Sequence, residues 1–254
     1  MPDLWANDTI VVAFEETQNQ YSQATDFSKM MKEYGRFFLA NKLLDPQKGE
    51  IILEIGCAEG FFLRQYHDLI VPVGIDISGK MVRKARNSFE NGNFFLSDME
   101  NLPFRDGTFD KVVAVYSFIY ARDKQKAFRE ISRVLKTGDS FIIYDPNKLS
   151  PRTWIRALQA FRFRITGNID SPRYLHHEFV AKNALSYRNF KEMGKMNGFV
   201  LEDEGGIFSM HLILQSSSFH AILDKLQYKR WGFLPFLKYF SDFFIFRFKK
   251  IKPL

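Results

Sequence analysis

A short apolar strand that runs into a glycine-rich turn is the feature that most restricts how this chain can fold. Residues 52–60 read Ile-Leu-Glu-Ile-Gly-Cys-Ala-Glu-Gly, and the next apolar run, 71–76, ends in Asp76. Such a turn lets a ligand approach the backbone, and an acid at the end of the second strand can accept hydrogen bonds from ribose hydroxyls. The two segments therefore predict a nucleotide-type ligand site on a parallel sheet.

The composition of the turn indicates which ligand binds. A dinucleotide site requires Gly-x-Gly-x-x-Gly, whereas this turn has glycines at Gly56 and Gly60, Ala58 between them and Glu54 just ahead. A carboxylate at that place would repel a pyrophosphate but suits a ligand with positive charge. S-adenosylmethionine carries an ammonium and a sulfonium and no phosphate, and its carboxylate can use the free amides that begin the next helix. We therefore predict S-adenosylmethionine rather than a nicotinamide dinucleotide.

Further motifs follow in a fixed order along the chain. They are Ser-Asp-Met at 97–99, Leu-Pro-Phe-Arg-Asp-Gly-Thr-Phe-Asp at 102–110, and Arg-Val-Leu-Lys-Thr-Gly at 133–138 before an apolar run. With the glycine turn and Asp76, this series resembles the class I S-adenosylmethionine-dependent methyltransferases. It looks closest to the group that includes the quinone-biosynthesis C-methyltransferases and many small-molecule methyltransferases. The resemblance covers residues 30–148 and, more loosely, the stretch to 215.

The resemblance implies a set of cofactor-binding residues. Glu54 would face the ammonium directly or through water, Asp76 would accept from both ribose hydroxyls, and Ile77 would pack on the adenine. Asp98, with the Met99 backbone close by, would accept from the adenine amino group. The full set is Glu54, Gly56, Cys57, Ala58, Gly60, Asp76, Ile77, Asp98, Met99, Tyr116 and Ser117. Three alternatives remain: Asp76 as a helix-capping acid, Asp98 as an ordinary loop acid and Tyr116 as packing only.

Strands and helices alternate through the first part of the chain. Strands are predicted at 50–55, 71–76, 93–96, 111–116 and 140–144, with helices at 60–68, 78–89 and 123–135. Strict alternation predicts an α/β fold with a doubly wound, Rossmann-like and mostly parallel sheet. The family resemblance implies seven strands, the last antiparallel.

The rest of the chain is predicted to complete this fold and to cover the site. Further helices are predicted at 154–163, 186–196 and 218–231, a sixth strand in two pieces at 199–201 and 206–214, and a last strand at 243–250. We expect a single methyltransferase domain over 1–254, with lid helices in 1–48, a cofactor-binding core in 49–147, and an acceptor-side lid with the last two strands in 148–254.

No catalytic residue can be assigned from the motifs, and no metal site is predicted. Methyl transfer needs a base only if the acceptor is a hydroxyl, an acidic carbon or a protonated amine. His176, His177 and Glu178 lie in the stretch that covers the active-site mouth in similar proteins, so one of them as base is a hypothesis. Surface or structural histidines are the alternative. The histidines that the family often has near Ile119 and Tyr120 are absent.

Charge and cysteine usage bear on partners and compartment. Cys57 is the single cysteine, which excludes an intrachain disulfide and suggests a reducing compartment. The first residues lack a basic region followed by an apolar core, so we expect no secretory signal and a cytoplasmic location. Residues 148–254 hold 18 Lys+Arg and 8 Asp+Glu, out of a net charge of +7 for the chain. Their basic, aromatic stretch 228–241 could contact a membrane surface peripherally or shape an apolar acceptor pocket; a packed lid is the alternative.

The sequence therefore predicts S-adenosylmethionine-dependent methyl transfer to a small or lipid-like acceptor. An RNA methyltransferase is the first alternative, but the cations are spread among hydrophobic residues and no separate RNA-binding module fits, so we expect no nucleic-acid partner. A non-catalytic adenosyl-ligand-binding protein is the second. The oligomeric state is not predicted.

Overall fold

The structure is a computed structural model that describes residues 43–89, 92–167, 172–207, 239 and 241–252. The predicted lid helices of residues 1–48 and the predicted helix at 218–231 therefore lie almost entirely outside the described residues. The same holds for nearly all of the basic aromatic stretch 228–241.

Seven strands of the described chain form one sheet in the order β3-β2-β1-β4-β5-β7-β6. Neighbouring strands from β3 to β5 run parallel, while β7 runs antiparallel to both β5 and β6. This confirms the predicted doubly wound, mostly parallel sheet with an antiparallel last strand. The strands are β1 (Ile51–Ile55), β2 (Val71–Asp76), β3 (Asn93–Leu96), β4 (Phe109–Val115), β5 (Leu135–Pro146), β6 (Phe199–Ile207) and β7 (Phe243–Lys250).

Helices connect the strands and begin where the sequence supplies capping residues. The Ser78 hydroxyl accepts from the Met81 amide at 3.2 Å, and the Ser186 hydroxyl accepts from the Asn189 amide at 3.2 Å, which is the usual role of a helix N-cap. The helices are α1 (Phe61–Arg64), α2 (Gly79–Ser88), α3 (Lys124–Val134), α4 (Pro151–Ile165), α5 (Pro172–Asn183) and α6 (Tyr187–Met196), with a 3-10 turn at Phe118–Tyr120.

Four elements differ from the prediction. Strand β6 runs unbroken over Phe199–Ile207, whereas the sequence predicted a gap at 202–205, because it pairs with β7 along this length. Helix α1 ends at Arg64 instead of continuing to residue 68, because the chain turns at 65–70 to bring Ile70 under the sheet. Strand β5 is longer than predicted because it pairs with β4 at its start and with β7 to its end. Helix α5 was not predicted, since its buried side chains lack the regular helical spacing that would reveal it.

Both faces of the sheet are covered. On one face, phenylalanines from β5, β7, α3 and α6 pack edge to face, and the Phe128 ring centroid lies 5.5 Å from that of Phe141 and 5.7 Å from that of Phe199. The other face buries Ile52, Leu63 and neighbours against α1. With both faces closed, ligands must enter at an edge. No helix in the described part of the chain is long and apolar enough to cross a membrane.

Candidate functional site

The carboxyl ends of β1, β2 and β4 meet at one edge of the parallel sheet. Strand β1 lies between β2 and β4, so Glu54 stands between Gly74 on one side and Val113 on the other. The connection from β1 leads to β2 and the connection from β4 leads to β5, in opposite directions across the sheet, which opens a crevice at the carboxyl ends of β1 and β4. This crevice is where the predicted site residues converge.

The glycine turn beyond β1 has a backbone that its residues largely dictate. Gly56 and Gly60 have φ of 69° and 75°, in the region that favours glycine, and Ala58 has a φ of 47°. A Cβ atom on Gly56 would lie 2.4 Å from Cβ of Ser117. The Gly56 and Cys57 amides donate to the Ile75 carbonyl at 2.8 and 2.9 Å. The turn is therefore held tightly against the ends of β2 and β4.

Glu54 is the most unusual residue of the site, because it is buried without a complete set of partners. Only 4% of the residue is exposed, and its Oε2 atom has no hydrogen-bond partner among the residues that the structure describes. Burial raises the pKa of its carboxyl well above the ordinary value, the Leu63 amide lowers it in part, and the nearby Asp76 carboxylate raises it further. A buried carboxylate beside a second acid is costly unless a cationic group joins them. The arrangement indicates a site for an external cation.

Asp76 organises the crevice from the end of β2. Its Oδ2 atom accepts from the Ala58 amide at 2.9 Å and its Oδ1 atom accepts from the Ser78 amide at 2.8 Å. The carboxylate thus holds both the glycine turn and the start of α2. A carboxylate has about four acceptor sites, so these bonds do not exclude ribose hydroxyls.

Ile77, Asp98 and Met99 lie at the same edge, beyond β2 and β3. Ile77 is 51% exposed, which is unusual for a large apolar side chain beside buried strands. Asp98 is half-buried, and its Oδ1 atom accepts from the Glu100 amide at 2.9 Å. Met99 packs partly on the core. The Ser97 amide donates to the Asp76 carbonyl at 3.0 Å, which links this loop to the acid at the end of β2.

Tyr116 and Ser117 close the crevice on the β4 side. Tyr116 has a φ of 57°, a conformation that costs energy for an aromatic residue, and its amide donates to the Tyr144 carbonyl at 2.7 Å. The Ser117 hydroxyl donates to the Ile55 carbonyl at 2.5 Å. These bonds draw the backbone after β4 over the end of β1.

Cys57 contributes its small size rather than its chemistry. It is 3% exposed and packs with Val82, Ala85 and Phe94. Burial raises the pKa of its thiol well above the ordinary value, and the carboxylates of Glu54 and Asp76 raise it further. The thiol is therefore neutral at physiological pH and is not poised as a nucleophile.

The candidate bases are carried by α5, which packs over the 3-10 turn that follows β4. The Phe179 ring of α5 stacks on Tyr120 with centroids 5.0 Å apart. Glu178 is already paired, since its Oε1 atom lies 2.7 Å from Lys182 Nζ and 3.3 Å from Arg164 Nη2. These cations keep the pKa of Glu178 below the ordinary value despite partial burial. His176 and His177 are half-buried on the same helix.

Asp145, at the end of β5, is a buried acid for which the sequence predicted no role. It is 3% exposed, and its Oδ1 atom has no hydrogen-bond partner in the described part of the chain. Burial raises its pKa well above the ordinary value. The charge of Lys124 and the Ile119 amide oppose this shift. The only signal in the sequence is an acid directly after the apolar run 141–144.

Comparison with known proteins agrees with this geometry. A family model described as a methyltransferase domain matches residues 53–143. An uncharacterised protein of Methanocaldococcus jannaschii is 27% identical over 242 residues, covering 89% of this chain and 90% of that protein.

Two further similar proteins have names that state a methyltransferase chemistry. A ubiquinone/menaquinone biosynthesis C-methyltransferase of Klebsiella pneumoniae is 27% identical over 161 residues, covering 59% of this chain but only 61% of that enzyme. The crystal structure of an S-adenosylmethionine-dependent methyltransferase from Thermotoga maritima superposes with a TM-score of 0.63 at 16% identity, covering 95% of this chain and 99% of that one. At that identity the superposition shows the fold alone. Residues 53–143 therefore match a methyltransferase domain, and the chain shares its fold with an S-adenosylmethionine-dependent methyltransferase.

Proposed function

We propose that this protein transfers a methyl group from S-adenosylmethionine to a small or lipid-like acceptor. The observation that carries the proposal is the Glu54 carboxylate, which is buried beside Asp76 with an unpartnered oxygen. A ligand with an ammonium supplies the missing positive charge, whereas a pyrophosphate would add a third negative group. When bound, S-adenosylmethionine supplies an electrophilic methyl group on a sulfonium.

Each side chain of the crevice would bind a different part of S-adenosylmethionine. Glu54 would bind the ammonium, Asp76 the ribose hydroxyls, and Ile77 one face of the adenine. The exposed surface of Ile77 and the fixed orientation of Asp76 support these assignments. Asp98, with the Met99 backbone, would accept from the adenine amino group.

The backbone would bind the amino-acid part of the ligand. The turn at 56–60 and the residues Tyr116 and Ser117 lie on either side of Glu54. A side chain larger than hydrogen at Gly56 would contact Ser117, so the turn is built for close backbone approach. These residues position the methyl donor and keep water from it, and such positioning can contribute several kcal/mol to catalysis.

The acceptor would enter from the side formed by residues 148–254, with residues 49–147 as the cofactor-binding core. A relative named for quinone biosynthesis supports an apolar acceptor, although the chain spans less than two thirds of that enzyme. A basic, aromatic C-terminal region in peripheral contact with a membrane would suit the same class of acceptor. His176 or His177 as base remains a hypothesis.

Calorimetric titration tests the cofactor. We expect S-adenosylmethionine and S-adenosylhomocysteine to bind and a nicotinamide dinucleotide to give no heat. Folded protein that gives no heat with either adenosyl compound would refute the proposal.

Methyl transfer from a radiolabelled donor tests the acceptor. The protein is incubated with an extract of cellular lipids, an extract of aqueous metabolites, or total RNA. We expect label in the lipid or metabolite fraction, and label in RNA alone would contradict the proposed acceptor. Replacing His176 and His177 by Gln, one at a time, should leave donor affinity intact and lower turnover if either is the base.

A further inference from the structure

Helix α4 presents its most apolar face to solvent. Trp154, Leu158, Phe161 and Ile165 are 58%, 68%, 59% and 70% exposed. They stand at positions i, i+4, i+7 and i+11, so they form one continuous stripe along the helix. The helix packs on the protein through a face of small residues, with Thr153 and Ala160 buried. An exposed apolar stripe of this size marks an interaction surface.

The charged residues of helix α4 itself are all positive. Helix α4 reads PRTWIRALQAFRFRI, with four arginines and no acidic residue. At about 100° per residue, Arg162 lies on one side of the stripe next to Phe161, and Arg164 lies on the other side next to Ile165. Arg164 also contacts Glu178 at 3.3 Å. An apolar stripe with aromatic residues between basic flanks is the pattern of a helix that lies in the interface of an anionic bilayer.

We propose that α4 docks this protein on anionic lipid membranes, with the stripe in the acyl boundary and the arginines on lipid phosphates. Trp154 suits the headgroup level, because an indole has an apolar body and a polar N–H. A second copy of the chain fits the surface poorly: a two-fold contact through α4 would bring arginines together with no acid on the helix to pair them.

The position of α4 gives the contact a consequence for the crevice. The helix begins directly beyond β5, where the Thr153 hydroxyl donates to the Asn147 carbonyl at 2.7 Å and Ser150 caps the helix. That is the same edge of the sheet at which β1 and β4 end. Docking through α4 therefore brings the crevice edge towards the bilayer. The proposed contact between α4 and the membrane does not depend on whether the methyl acceptor is a lipid.

Vesicle binding of the full chain, measured without methyl donor, tests the proposal. We expect cosedimentation with phosphatidylcholine vesicles that contain about 30% phosphatidylglycerol, and little with phosphatidylcholine alone, with binding weakened by salt. Trp154 emission should shift to shorter wavelength on binding and be quenched by brominated lipid, and the W154F variant should lose this signal.

Paired variants identify the surface. The double substitution L158S/I165S should lower the vesicle partition constant at least about tenfold, because two large apolar side chains no longer enter the lipid. R162Q should lower it about fivefold at low salt. M196S is the matched control, since Met196 is 72% exposed on α6, away from the stripe. It should bind vesicles like the wild type.

Other outcomes would overturn the proposal. Wild-type protein that ignores anionic vesicles, or L158S/I165S that binds them as the wild type does, contradicts it. If sedimentation velocity shows a dimer that L158S/I165S dissociates and vesicles are not bound, the stripe is an interface with a second copy. If vesicles are not bound and L158S/I165S lowers the unfolding temperature, the chain covers the stripe itself. Calorimetry with S-adenosylmethionine on the same samples tests the proposed cofactor separately.

Discussion

Two buried carboxylates, Glu54 at the end of β1 and Asp145 at the end of β5, occupy equivalent places in the fold but different electrostatic surroundings. They are 4% and 3% exposed, each has one oxygen without a hydrogen-bond partner within the described ranges, and burial raises both pKa values. Asp145 has Lys124 as a counter-charge, whereas the charge that acts on Glu54 is a second acid, Asp76.

From this difference we propose that Asp145 is a structural acid and Glu54 a ligand-binding acid. Lys124 donates to the Ile119 and Ala121 carbonyls at 3.3 and 3.1 Å, which fixes its ammonium close to Asp145. The protein therefore balances the charge of Asp145 from within. Glu54 has no such partner among the described residues, so the ammonium of a bound ligand would stabilise its ionised form.

The largest expected effect is on donor affinity when Glu54 is made neutral. In E54Q the ammonium of the ligand loses its counter-charge, which should weaken S-adenosylmethionine binding by about 2–4 kcal/mol, a factor of about 30 to 1,000. S-adenosylhomocysteine keeps the ammonium and should lose as much. Methylthioadenosine lacks the amino-acid part, and calorimetry should show it bound equally by E54Q and wild type.

Asp145→Asn is the matched control for that measurement. It neutralises an equally buried acid, yet donor affinity should stay near the wild-type value because Asp145 lies near the end of β5 beside Lys124 and the Ile119 amide. Equal losses in E54Q and D145N would mean that both variants act through general disturbance of the fold, and the distinction between the two acids would fail.

The second effect concerns stability and the pairing of Asp145. Lys124→Met removes the cation that stabilises the ionised form of the buried Asp145. It should lower the free energy of unfolding by about 1–3 kcal/mol at pH 8. This is less than the loss expected for a fully buried ion pair, because Lys124 is partly exposed. Urea denaturation measures it. Adding D145N to K124M should recover part of the loss, and strict additivity in this double-mutant cycle would show that the two groups do not interact.

The contrast between the acids also shows what the sequence could predict. The Glu54 site depends on neighbours in the chain: Gly56 and Gly60 adopt backbone angles that favour glycine, and Asp76 ends the next strand. Such local constraints can be predicted from the sequence. The Asp145–Lys124 pair depends on how the 3-10 turn brings α3 towards β5, which no local pattern encodes.

Helix α4 shows a second limit of sequence reasoning. The spacing of its apolar residues correctly predicts a helix near residues 154–163. Apolar residues at this spacing normally form the face of the helix that packs on the core. Here Thr153 and Ala160 are buried and the stripe with Leu158 is exposed. Which face packs is decided by the fit of small side chains against neighbouring elements, and periodicity alone does not report that fit.

A third effect is the pH dependence of stability without ligand. Because burial raises the folded-state pKa of Glu54 above its ordinary value of 4.5, the neutral form is favoured in the folded protein. The contribution of Glu54 protonation to the free energy of unfolding is therefore fully present below pH 4.5. It is lost as the pH rises through the folded-state pKa, and the free energy of unfolding falls there by at most about 1.4 kcal/mol per pH unit. Asp145 contributes with the same sign.

The difference between wild type and E54Q isolates the share of Glu54. Unfolding free energies from urea denaturation should fall with pH more steeply in the wild type than in E54Q, and saturating S-adenosylmethionine should reduce that difference because the ammonium stabilises the ionised carboxylate. Parallel pH curves for the two proteins would show that Glu54 titrates normally and would remove the electrostatic basis of the comparison.

The smallest expected effect concerns Ile77, which would contact the ligand without charge. Ile77→Ser removes apolar contact with the adenine and should weaken binding by about 0.5–1 kcal/mol, a factor of about two to five. Because Ile77 is 51% exposed, the unfolding free energy should hardly change. Methylthioadenosine has the same adenine, so I77S should weaken its binding as much as that of S-adenosylmethionine. E54Q, by contrast, should leave the affinity for methylthioadenosine unchanged. An I77S variant that weakens only the amino-acid-bearing ligands would place the adenine elsewhere and leave Glu54 as the sole fixed point of the site.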